Sequence, residues 1–532
     1  MLQKYCIALE DIVYWAQLSA RAAPRRTEPD TGQDKMLREG KIMVTSLYQS
    51  LCNMETIYAD RVAIRYYDEA KRGVTEVYYR QYAQDLRRFV SFLRSKAGDV
   101  KGQRVAILAR NSYHYVICMY GTVLAGGVAV PLNMGKNWDE IQYELDLVEP
   151  VCVLQDGEYL QWEPALADAY SAKLEPMDAF TAFAPAQDVK EVEDLAAMAF
   201  IMFTSGTTGR SKAVMLSERN FFTTVECQVK FGDAMLGYKH EHMPEDKNDV
   251  LSNFAILPLF HLGTFICLFV WACKGWALNL SADIRDFYRD LGLMHSDAIA
   301  VAPMLMEAIY KDVKRGRRAR LNGIWNPCGS SAMFDGAMLA ELAQQGMMIT
   351  QVYGMTETCG DGIINYEQDE KHIRAVGKPD DHAEYKLDET GEICIRGGCV
   401  MLGYYKAPEA TAEVLDADGW FHTGDLARVD EDGFYYITGR KKNIIILDNG
   451  ENVSPEELEN LLSKCEAVKE CIVREKGKKI CAVIYCGEAD QQTVRDFITE
   501  TNRTLPLYKR MSAVEFSTEP LPRTGTGKLL RK

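Results

Sequence analysis

Residues 204–212 have the sequence Thr204-Ser205-Gly206-Thr207-Thr208-Gly209-Arg210-Ser211-Lys212, and they directly follow the apolar run Ala-Met-Ala-Phe-Ile-Met-Phe at 197–203. A short apolar run of this kind is typical of a buried strand. The polar segment after it combines hydroxyl side chains, glycines and basic residues within a few positions. We therefore expect a loop rich in hydrogen-bond donors at the carboxyl end of a core strand.

A loop of this composition is suited to holding phosphate. Glycine lets backbone N–H groups face an anion without a Cβ in the way, and Ser and Thr hydroxyls add uncharged donors. The predicted ligand is a nucleoside triphosphate. The simpler alternative is an ordinary polar turn between strands, and the crowding of hydroxyls beside two basic residues argues against it.

The segment differs from the P-loop of kinases and GTPases, which needs glycine directly before its lysine and Ser or Thr directly after it. Here Ser211 precedes Lys212 and Ala213 follows. The segment resembles instead the phosphate loop of the adenylate-forming superfamily: acyl-CoA synthetases, aryl-CoA ligases, luciferases and the adenylation domains of peptide synthetases. That superfamily usually has proline at the position of Ser211, so we expect a less rigid loop with its donors kept. The resemblance implies that residues 204–209 and Lys212 hold the phosphates of ATP, with Thr204 also part of the catalytic group.

Length and composition limit the classes of protein. A chain of 532 residues with 47% hydrophobic side chains should divide into at least two domains. The formal net charge of −15 argues against a sequence-independent nucleic-acid binder, which needs a basic face. The longest apolar run, 265–273, is much shorter than the ~20 residues of a membrane span and predicts a buried helix or strand. The 15 cysteines include no C-x-x-C pair, which favours a reducing compartment, and the cytoplasm is the expected location.

From about residue 45, buried strands alternate with amphipathic segments of helix length. Residues 104–108 predict a strand, 113–125 a helix and 126–132 the start of the next strand. This alternation predicts an α/β fold of parallel-type sheets with helices on both faces. Ligands in such folds bind at the carboxyl ends of strands, where residues 204–212 are expected to lie.

We predict three regions along the chain. They are an N-terminal appendage at 1–42, a large ATP- and acid-binding domain with a small β-rich subdomain at 43–439, and a small mobile α+β domain at 440–532. Apolar residues at three- and four-residue spacing within 2–16 predict an amphipathic helix in the appendage. This helix is expected to pack onto the main body, and docking to a membrane or partner is the alternative.

A histidine, His261, follows the apolar segment 257–260. Taken alone, such a histidine is typical of a hydrogen-bonded core residue. The superfamily, however, has an aromatic residue or histidine here, beside the carboxylate of the acid that it activates, so the resemblance identifies His261 as a catalytic-site residue. Members that activate amino acids commonly place an aspartate nearby, and Phe260 precedes His261 with no such acid. The expected substrate is a plain carboxylic acid.

Gly329, Ser330 and Ser331 match a Gly-Gly-Ala-type segment of the superfamily, which lies between the adenine and the acyl tunnel. Ser330 replaces the second glycine of that segment. A serine side chain there is expected to narrow the tunnel and to disfavour a very bulky acyl chain.

The segment Tyr353-Gly354-Met355-Thr356-Glu357 is the second strong motif. It combines an aromatic face for a purine, a glycine for close approach, a hydroxyl donor and a carboxylate. Alone it is also compatible with a helix capped by Thr356, but its occurrence with residues 204–212 favours the nucleotide. Mg²⁺ accompanies ATP and prefers oxygen ligands. In the resemblance Tyr353 and Gly354 bind the nucleotide, Thr356 contacts phosphate and Glu357 is the magnesium ligand.

The resemblance assigns three further residues between 419 and 443. Asp425 would accept hydrogen bonds from the ribose hydroxyls, Arg440 would donate to ribose or phosphate oxygens, and Lys442 would be the hinge of the last domain. A run of three basic residues is otherwise typical of a solvated face. The Asp-Gly pairs at 418–419 and 432–433 are predicted turns.

In the last domain, Ser454 is predicted as a helix N-cap, with Pro455 at N1 and Glu457 completing a capping box. Near the end of the sequence, residues 521–528 predict an exposed loop with Lys528 at its tip. An exposed terminal lysine is normally inert, but the resemblance identifies Lys528 as the catalytic lysine. It also implies that rotation about Lys442 brings the Gly450 region forward to admit a thiol.

These motifs span about residues 45–532, and the resemblance implies an ATP-dependent acid–thiol ligase. Such an enzyme activates a carboxylic acid as acyl-AMP, releases pyrophosphate and transfers the acyl group to coenzyme A, with Mg²⁺ as cofactor. Two alternatives stay open: a freestanding adenylation enzyme that loads a carrier protein, and a non-catalytic nucleotide-binding protein.

Overall fold

The computed structural model describes residues 44–204, 210–330, 334–360, 362–447, 451–477, 479–523 and 529–530. The helix expected within residues 2–16 lies outside these ranges. The helices of the described ranges are α1 (Leu47–Thr56), α2 (Tyr79–Ala97), α3 (Tyr113–Leu124), α4 (Trp138–Val148), α5 (Glu158–Trp162), α6 (Ala165–Tyr170), α7 (Glu218–His242), α8 (Leu262–Cys273), α9 (Phe287–Leu293), α10 (Pro303–Lys314), α11 (Gly336–Gln344), α12 (Pro408–Ala412), α13 (Pro455–Leu462) and α14 (Gln491–Thr504).

Strands alternate with these helices along most of the chain. They are β1 (Val62–Asp68), β2 (Gly73–Tyr78), β3 (Arg104–Leu108), β4 (Val128–Pro131), β5 (Cys152–Gln155), β6 (Leu174–Pro176), β7 (Met198–Thr204), β8 (Lys212–Ser217), β9 (Ser252–Ala255), β10 (Ala277–Leu280), β11 (Ala298–Val301), β12 (Asn326–Ser330), β13 (Thr350–Gly354), β14 (Gly362–Asn365), β15 (Ala383–Leu387), β16 (Glu392–Gly397), β17 (Gly403–Tyr404), β18 (Phe421–Val429), β19 (Tyr435–Arg440), β20 (Ile445–Ile446), β21 (Asn452–Val453), β22 (Glu470–Lys476), β23 (Lys479–Tyr485) and β24 (Ala513–Ser517).

The first large sheet has the strand order β17-β8-β7-β4-β3-β5-β6. Its strands from β7 to β6 are parallel, and the β7–β8 and β8–β17 pairs are antiparallel. In β3, Val105 and Ile107 join one core cluster, whereas Ala106 and Leu108 pack with α4 in another. Successive strand side chains point to opposite faces, and both faces are covered, so β3 is apolar at each of these positions.

The second large sheet has the order β14-β13-β12-β11-β9-β10-β1-β2, with antiparallel pairs only at its two edges. On one face Ile299 packs in a cluster with residues of α9, α10 and α11. On the other face Ile64 and Leu278 share a core with Phe265 of α8 and with the first sheet. Helices therefore lie between the two sheets as well as outside them.

An aromatic cluster fixes the strand that precedes the phosphate-loop segment. Phe200 of β7 lies 5.2 Å from Phe221 of α7 and 5.6 Å from Phe265 of α8, measured between ring centroids, and all three rings are fully buried. Replacing one such ring by alanine typically costs about 3–5 kcal/mol of stability. The packing of these rings therefore fixes β7, which leads into the predicted phosphate loop.

The later part of the chain forms smaller sheets. β15-β16-β18-β19 is an antiparallel sheet next to the large sheets, β20-β21 is a short ribbon, and β22-β23-β24 packs with α13 and α14 around its own core. The predicted α/β fold class, with a large N-terminal and a small C-terminal domain, is confirmed. The boundaries at 42/43 and 439/440 stay predictions.

Several predicted elements agree with the structure. The strand at 104–108 is β3, and the helix at 113–125 is α3 with one residue fewer at its end. The apolar run 265–273 lies within α8. Among the helices of the described ranges, none has both the length and the apolar composition that crossing a bilayer requires.

Candidate active site

β13, β18 and β19 bring together Tyr353, Asp425 and Arg440, which we call the Asp425 cluster. Tyr353 Oη donates a hydrogen bond of 3.1 Å to Asp425 Oδ2. Arg440 holds both carboxylate oxygens, with Nε 2.5 Å from Oδ1 and Nη2 3.3 Å from Oδ2. Asp425 and Arg440 lie directly opposite each other in the β18–β19 pair, so the strand register fixes their contact.

Burial and charge together set the protonation states in the Asp425 cluster. Only 5% of Asp425 and 9% of Tyr353 is exposed. Burial, followed by the nearby Asp425 carboxylate, raises the pKa of Tyr353 well above its usual value, so the phenol keeps its proton and donates. Burial alone would lower the pKa of Arg440, but Asp425 outweighs it and the pKa is raised.

The hydrogen bonds of Asp425 limit how it can bind a further ligand. A carboxylate offers about four acceptor positions. The bonds from Tyr353 and Arg440 occupy most of them. Two ribose hydroxyls therefore bind Asp425 fully only if one of these donors moves aside.

The turn after β13 carries Glu357 to a second group, the Glu357 cluster, which consists of Glu357, Tyr404 and Lys212. Tyr404 Oη donates a hydrogen bond of 2.9 Å to Glu357 Oε1, and Lys212 Nζ lies 4.5 Å from the centroid of the Tyr404 ring. Burial, and then the Glu357 carboxylate, raise the pKa of Tyr404 above its usual value. The hydroxyl is thus a fixed donor that orients the carboxylate.

The main chain supports the Glu357 cluster from two sides. Met401 N donates a hydrogen bond of 2.8 Å to the carbonyl oxygen of Glu357. Tyr404 lies opposite Val214 in the β17–β8 pair, and β8 begins at Lys212. One strand pair therefore places both Tyr404 and Lys212. No local pattern in the sequence assigned a role to Tyr404, because its partner Glu357 lies 47 positions away in the chain.

The ends of the predicted phosphate loop meet as a hairpin. Thr204 and Lys212 are paired across β7 and β8, and Thr204 Oγ1 lies 3.5 Å from the carbonyl oxygen of Lys212. The structure brings these two ends to the carboxyl end of β7, as predicted. Ser205, Gly206, Thr207, Thr208 and Gly209 lie outside the described residues, so their predicted phosphate contacts stay predictions.

A lysine that the sequence analysis missed holds the end of this loop. Lys136 Nζ donates a hydrogen bond of 2.8 Å to Ser211 Oγ and forms an ion pair with Glu144, whose side chain is fully buried. Burial raises the pKa of Glu144, against the opposing effect of Lys136. The superfamily usually has proline at the position of Ser211. Proline has no hydroxyl and could not form this hydrogen bond with Lys136. The pairing spans 75 positions, so no local pattern indicated it.

The predicted acid-binding residues lie at the same edge of the sheets. His261 directly precedes α8, with its ring 4.4 Å from that of Phe260. Gly329 lies at the end of β12, where an added Cβ would lie 2.5 Å from the Phe334 ring. A side chain at 329 would therefore displace the Phe334 ring. Ser330 pairs with Val352 of β13, and Ser331 lies outside the described residues.

Tyr353 and Gly354 end β13, and Thr356 lies in the short 3₁₀ turn with Glu357. Gly354 pairs with Gly362 of β14, where an added Cβ would lie 1.9 Å from the Tyr353 carbonyl oxygen. A glycine at 362 thus permits the close strand contact that positions Tyr353. Because Tyr353 ends β13 and Glu357 lies in the turn that follows it, the two clusters are neighbours at this edge.

The predicted hinge residue Lys442 lies in the 3₁₀ turn Lys441–Asn443, with bonds on both sides. On the large-domain side, Lys441 Nζ lies 2.7 Å from Glu392 Oε2. On the small-domain side, Asn443 Nδ2 donates a hydrogen bond of 2.7 Å to Glu456 Oε1. Lys441 therefore holds the turn to the large domain, and Asn443 holds it to the small domain.

The capping box predicted at Ser454 is wrong. Pro455 does begin α13 at N1, but the Ser454 hydroxyl makes no cap bond to the helix and donates 2.7 Å to the carbonyl oxygen of Thr438. That carbonyl precedes Gly439, where an added Cβ would lie 2.4 Å from Ser454 Oγ. The long-range contact to β19 wins over the local cap, and it joins the two domains beside the hinge.

Glu470 anchors residues that precede the segment 524–528, which contains Lys528. Its carboxylate accepts a hydrogen bond of 2.6 Å from Leu521 N and one of 2.7 Å from Arg523 Nη2. Arg523 also pairs with Leu529 in an antiparallel bridge, so the residues on either side of this segment meet. Lys528 and Gly450 lie outside the described residues.

A cavity of about 780 Å³ lies elsewhere, at the amino ends of β1, β9, β10 and β11. Its lining includes Arg65, which is paired with Glu76 at 2.7 Å. Because none of the predicted site residues lines it, we place the chemistry at the two clusters instead.

Two sequence profiles match the chain. The profile of the AMP-binding enzyme family matches residues 55–405, and that of the AMP-binding enzyme C-terminal domain matches residues 457–528. The long-chain-fatty-acid–CoA ligase of Salmonella typhimurium is 27% identical to this chain, with 91% of this chain and 94% of that protein covered. Feruloyl-CoA synthase of an Amycolatopsis species is 29% identical, with 87% and 94% covered.

Solved structures share the fold. The o-succinylbenzoate CoA synthetase of Bacillus subtilis, in complex with its acyl-adenylate intermediate, superposes with a TM-score of 0.74 at 24% identity, covering 91% of this chain and 96% of that one. ATP-bound MatB of Rhodopseudomonas palustris gives a TM-score of 0.75 at 24% identity, covering 92% and 97%.

Proposed function

We propose that this chain, which belongs to the AMP-binding enzyme family, joins a carboxylic acid to coenzyme A with ATP as the source of energy. In the first step an acid oxygen bonds to the α-phosphorus of ATP, and pyrophosphate leaves. In the second step the thiol of coenzyme A loses its proton and bonds to the acyl carbon, and AMP leaves.

The observation that carries this proposal is the adjacency of the Asp425 and Glu357 clusters at one edge of the sheets. The first offers an aromatic ring, a buried carboxylate and a guanidinium, which suit a purine nucleoside and its phosphate. The second offers an oriented carboxylate beside a lysine and the ends of a donor-rich loop. Groups that complement a nucleoside therefore lie next to groups that complement a triphosphate along this edge.

The Glu357 carboxylate fits magnesium by its donor chemistry. Mg²⁺ prefers oxygen ligands and retains several waters, so one carboxylate and the phosphates suffice to hold it. The Tyr404 hydroxyl bonds to Oε1 and orients the group. Magnesium, when bound, would offset the negative charge of the phosphates.

The attack of a carboxylate on a phosphate brings two anions together, so fixed positive groups must offset their repulsion. By the family resemblance, Lys528 bridges the acid and the α-phosphate, and residues 204–208 hold the outer phosphates. Arg440, at the end of β19, and Lys212, at the start of β8, add further positive charge. Removing one such group should cost on the order of 10²–10³ in rate.

Withdrawal of Lys528 by rotation about Lys442 would then make room for the thiol. The bonds of Lys441 to Glu392 and of Asn443 to Glu456 support this proposal, because they fix each end of the turn to a different domain. Between these ends a small change in backbone dihedrals swings the whole small domain.

We propose a fatty or other organic acid without an α-amino group as the substrate. The support is the environment of His261, which has the aromatic ring of Phe260 at 4.4 Å where amino-acid-activating members commonly place an aspartate nearby. We also place the enzyme in the cytoplasm, since the 15 cysteines of the sequence include no C-x-x-C pair and their number does not suggest a disulfide framework in a chain of this length.

The decisive experiment supplies a panel of fatty, aromatic and amino acids with MgATP and measures AMP and pyrophosphate release. Coenzyme A is then added and the thioester is identified by mass. Release with plain acids and thioester formation are expected. Activation of amino acids alone would overturn the substrate class, and adenylate formation without transfer to coenzyme A would overturn the acceptor.

The lysine assignment has its own test in Lys528→Ala. Pyrophosphate release from acid and ATP should fall on the order of 10²–10³ or more, whereas thioester formation from supplied acyl-adenylate should persist. Lys532→Ala, at the other end of the same short segment, is the matched control. Normal pyrophosphate release by Lys528→Ala would contradict the assignment.

A further inference from the structure

A cysteine and a histidine form a cross-strand pair on the small antiparallel sheet. Cys394 of β16 lies directly opposite His422 of β18 in the strand register. Cys394 Sγ is 3.5 Å from His422 Nδ1, and the side chain of Asp388 completes the group from the turn that precedes β16. None of these residues belongs to the Asp425 or Glu357 cluster.

The spacing of the sulfur and nitrogen matches that of two ligands on one tetrahedral ion. Zinc lies about 2.3 Å from a thiolate sulfur and about 2.0 Å from an imidazole nitrogen, which places the two ligand atoms about 3.5 Å apart at the tetrahedral angle. The ligand atoms of Asp388, Cys394 and His422 all lie within 4.8 Å of one another.

The second nitrogen of His422 is oriented as metal-binding histidines require. Its Nε2 faces Asp416 Oδ2 at 3.5 Å, and its Nδ1 faces both Cys394 Sγ at 3.5 Å and Glu392 Oε2 at 3.7 Å, so an ion bound through Nδ1 requires the proton to lie on Nε2 beside Asp416. Asp388 is held through Oδ1 by bonds from Thr390 and from Glu392 N, while its Oδ2 faces Lys441 at 3.6 Å. One oxygen is thus fixed by the turn, and the other faces Lys441.

Two other clusters in the described ranges have metal-ligating atoms, and each is less suited. His372, Asp430 and Asp432 have no sulfur, and Asp432 forms an ion pair with Lys371. In the group of Cys227, Asp380 and His382, the Asp380 carboxylate lies 2.8 Å from Lys230. The Cys394 group differs because its thiol and imidazole lie side by side on paired strands.

We propose that Cys394, His422 and Asp388 bind a divalent transition-metal ion of zinc type, with water as the fourth ligand. Binding forms a metal–sulfur bond, and the thiol proton passes to solvent. Burial raises the pKa of the Cys394 thiol to about 11, so the ion must displace that proton. Thiolate, imidazole and carboxylate together select zinc or cobalt over magnesium, which prefers oxygen ligands alone.

The site is coupled to the domain hinge through Lys441. Its Nζ lies 3.6 Å from Asp388 Oδ2 and 2.7 Å from Glu392 Oε2. A bound ion competes with this ammonium group for Asp388, because both are positive and share one carboxylate. Such a coupling is reciprocal. If removal of Lys441 raises the affinity of the site for the ion, binding of the ion also weakens the contact of Lys441 with Asp388. The ion would therefore loosen one end of the hinge turn.

Cobalt is the spectroscopic probe for the test. The full-length protein, stripped of metal, is titrated with Co²⁺ while its absorbance is recorded. We expect about one equivalent to give tetrahedral visible bands and a sulfur-to-cobalt charge-transfer band, reversed by Zn²⁺. Cys394→Ser should abolish the charge-transfer band, and His422→Gln should weaken binding at least about tenfold. Neither result depends on the ligase activity.

Matched variants separate this site from its rivals. Cys227→Ser removes the sulfur of the alternative cluster, and Cys152→Ala removes a buried strand cysteine outside all three clusters. Both should keep the band, and Lys441→Met should tighten Co²⁺ binding by about fourfold or more. A band that survives Cys394→Ser or disappears in Cys227→Ser would overturn the site. Unchanged affinity in Lys441→Met would overturn the coupling to the hinge.

Discussion

The Asp425 and Glu357 clusters lie side by side but are held to different degrees. Asp425 is buried and accepts bonds from a tyrosine and an arginine, one of them fixed by strand register. Glu357 is half-buried, and its carboxylate is oriented by the single hydroxyl of Tyr404, from a strand of two residues. We infer that the nucleoside end of the site is held by more bonds before the ligand arrives and exchanges one donor of Asp425 when a ribose binds, whereas the metal end is held by a single hydroxyl.

The largest effect is expected from Asp425→Ala, which breaks the stronger cluster. Arg440 and Tyr353 lose their shared acceptor, so adenylation should fall by about 10³-fold. The free energy of unfolding should fall by about 1–3 kcal/mol, because a buried phenol loses its partner. Pyrophosphate exchange and urea unfolding measure the two effects.

Asp418→Ala is the matched control for that experiment, since Asp418 is exposed in a nearby Asp-Gly turn. It should leave both quantities within experimental error. An unchanged KM for ATP in Asp425→Ala would contradict the assignment of nucleoside binding to the Asp425 cluster.

Glu357→Gln should have the next largest effect, about 10²-fold on adenylation, because it removes the anionic ligand. Glutamine still accepts the hydrogen bond from Tyr404, so stability should stay unchanged. The dependence of rate on Mg²⁺ concentration is the measurement, and half-saturation should move to higher Mg²⁺. Loss of stability without a changed Mg²⁺ dependence would mean that Glu357 is structural.

Tyr404→Phe tests whether one hydroxyl orients Glu357. Loss of a hydrogen bond to a charged group corresponds to about tenfold in rate, with a higher Mg²⁺ requirement and an unchanged KM for the acid. Tyr404→Leu also removes the ring over which Lys212 lies, so it should lose further activity. Equal activity of the wild-type and Phe enzymes would show that the strand, and not the hydroxyl, places Glu357.

The smallest effect on activity is expected at Glu218, which is distant from both clusters. Its carboxylate is buried in α7 and accepts a hydrogen bond of 2.9 Å from Leu47 N. Burial is the main cause that raises its pKa from 4.5 to about 7, and Glu191 adds to the rise. A raised pKa in the folded state means that stability is lost as pH rises from about 4.5 to 7.

Glu218→Gln should remove this loss. The variant should be more stable than the wild type by about 1–3 kcal/mol at pH 8 and about equal at pH 4.5, with unchanged adenylation. Urea unfolding across this pH range is the measurement. If the free energy of unfolding of both proteins falls in parallel as pH rises, Glu218 is not the cause. If Glu218→Gln changes the rate of adenylation, the substitution also affects the Asp425 or Glu357 cluster.

Local patterns predicted the elements, because strand and helix periods are set by neighbours in the chain. The strand β3 and the helix α3 follow directly from runs of apolar residues. The phosphate-loop ends and the Tyr353–Glu357 segment also lie at strand ends, where an α/β fold collects ligands.

What the sequence could not predict depends on partners distant in the chain. Tyr404 meets Glu357 across 47 positions and Lys136 meets Ser211 across 75, and neither pair has a local signature. Ser454 shows the opposite failure, since a valid local cap pattern lost to a bond with Thr438 across the domain boundary. Tertiary packing decides such contacts.

The two-residue strand Gly403–Tyr404 has a consequence for biosynthesis. It closes an edge of the first sheet, yet the ribosome makes it only after every strand of the second sheet, which ends with Ile363, Ile364 and Asn365 of β14. A nascent chain that has just emerged past β8 therefore holds Lys212 without its aromatic neighbour. We expect that the growing polypeptide cannot bind a metal-bound nucleotide until residue 404 has been translated.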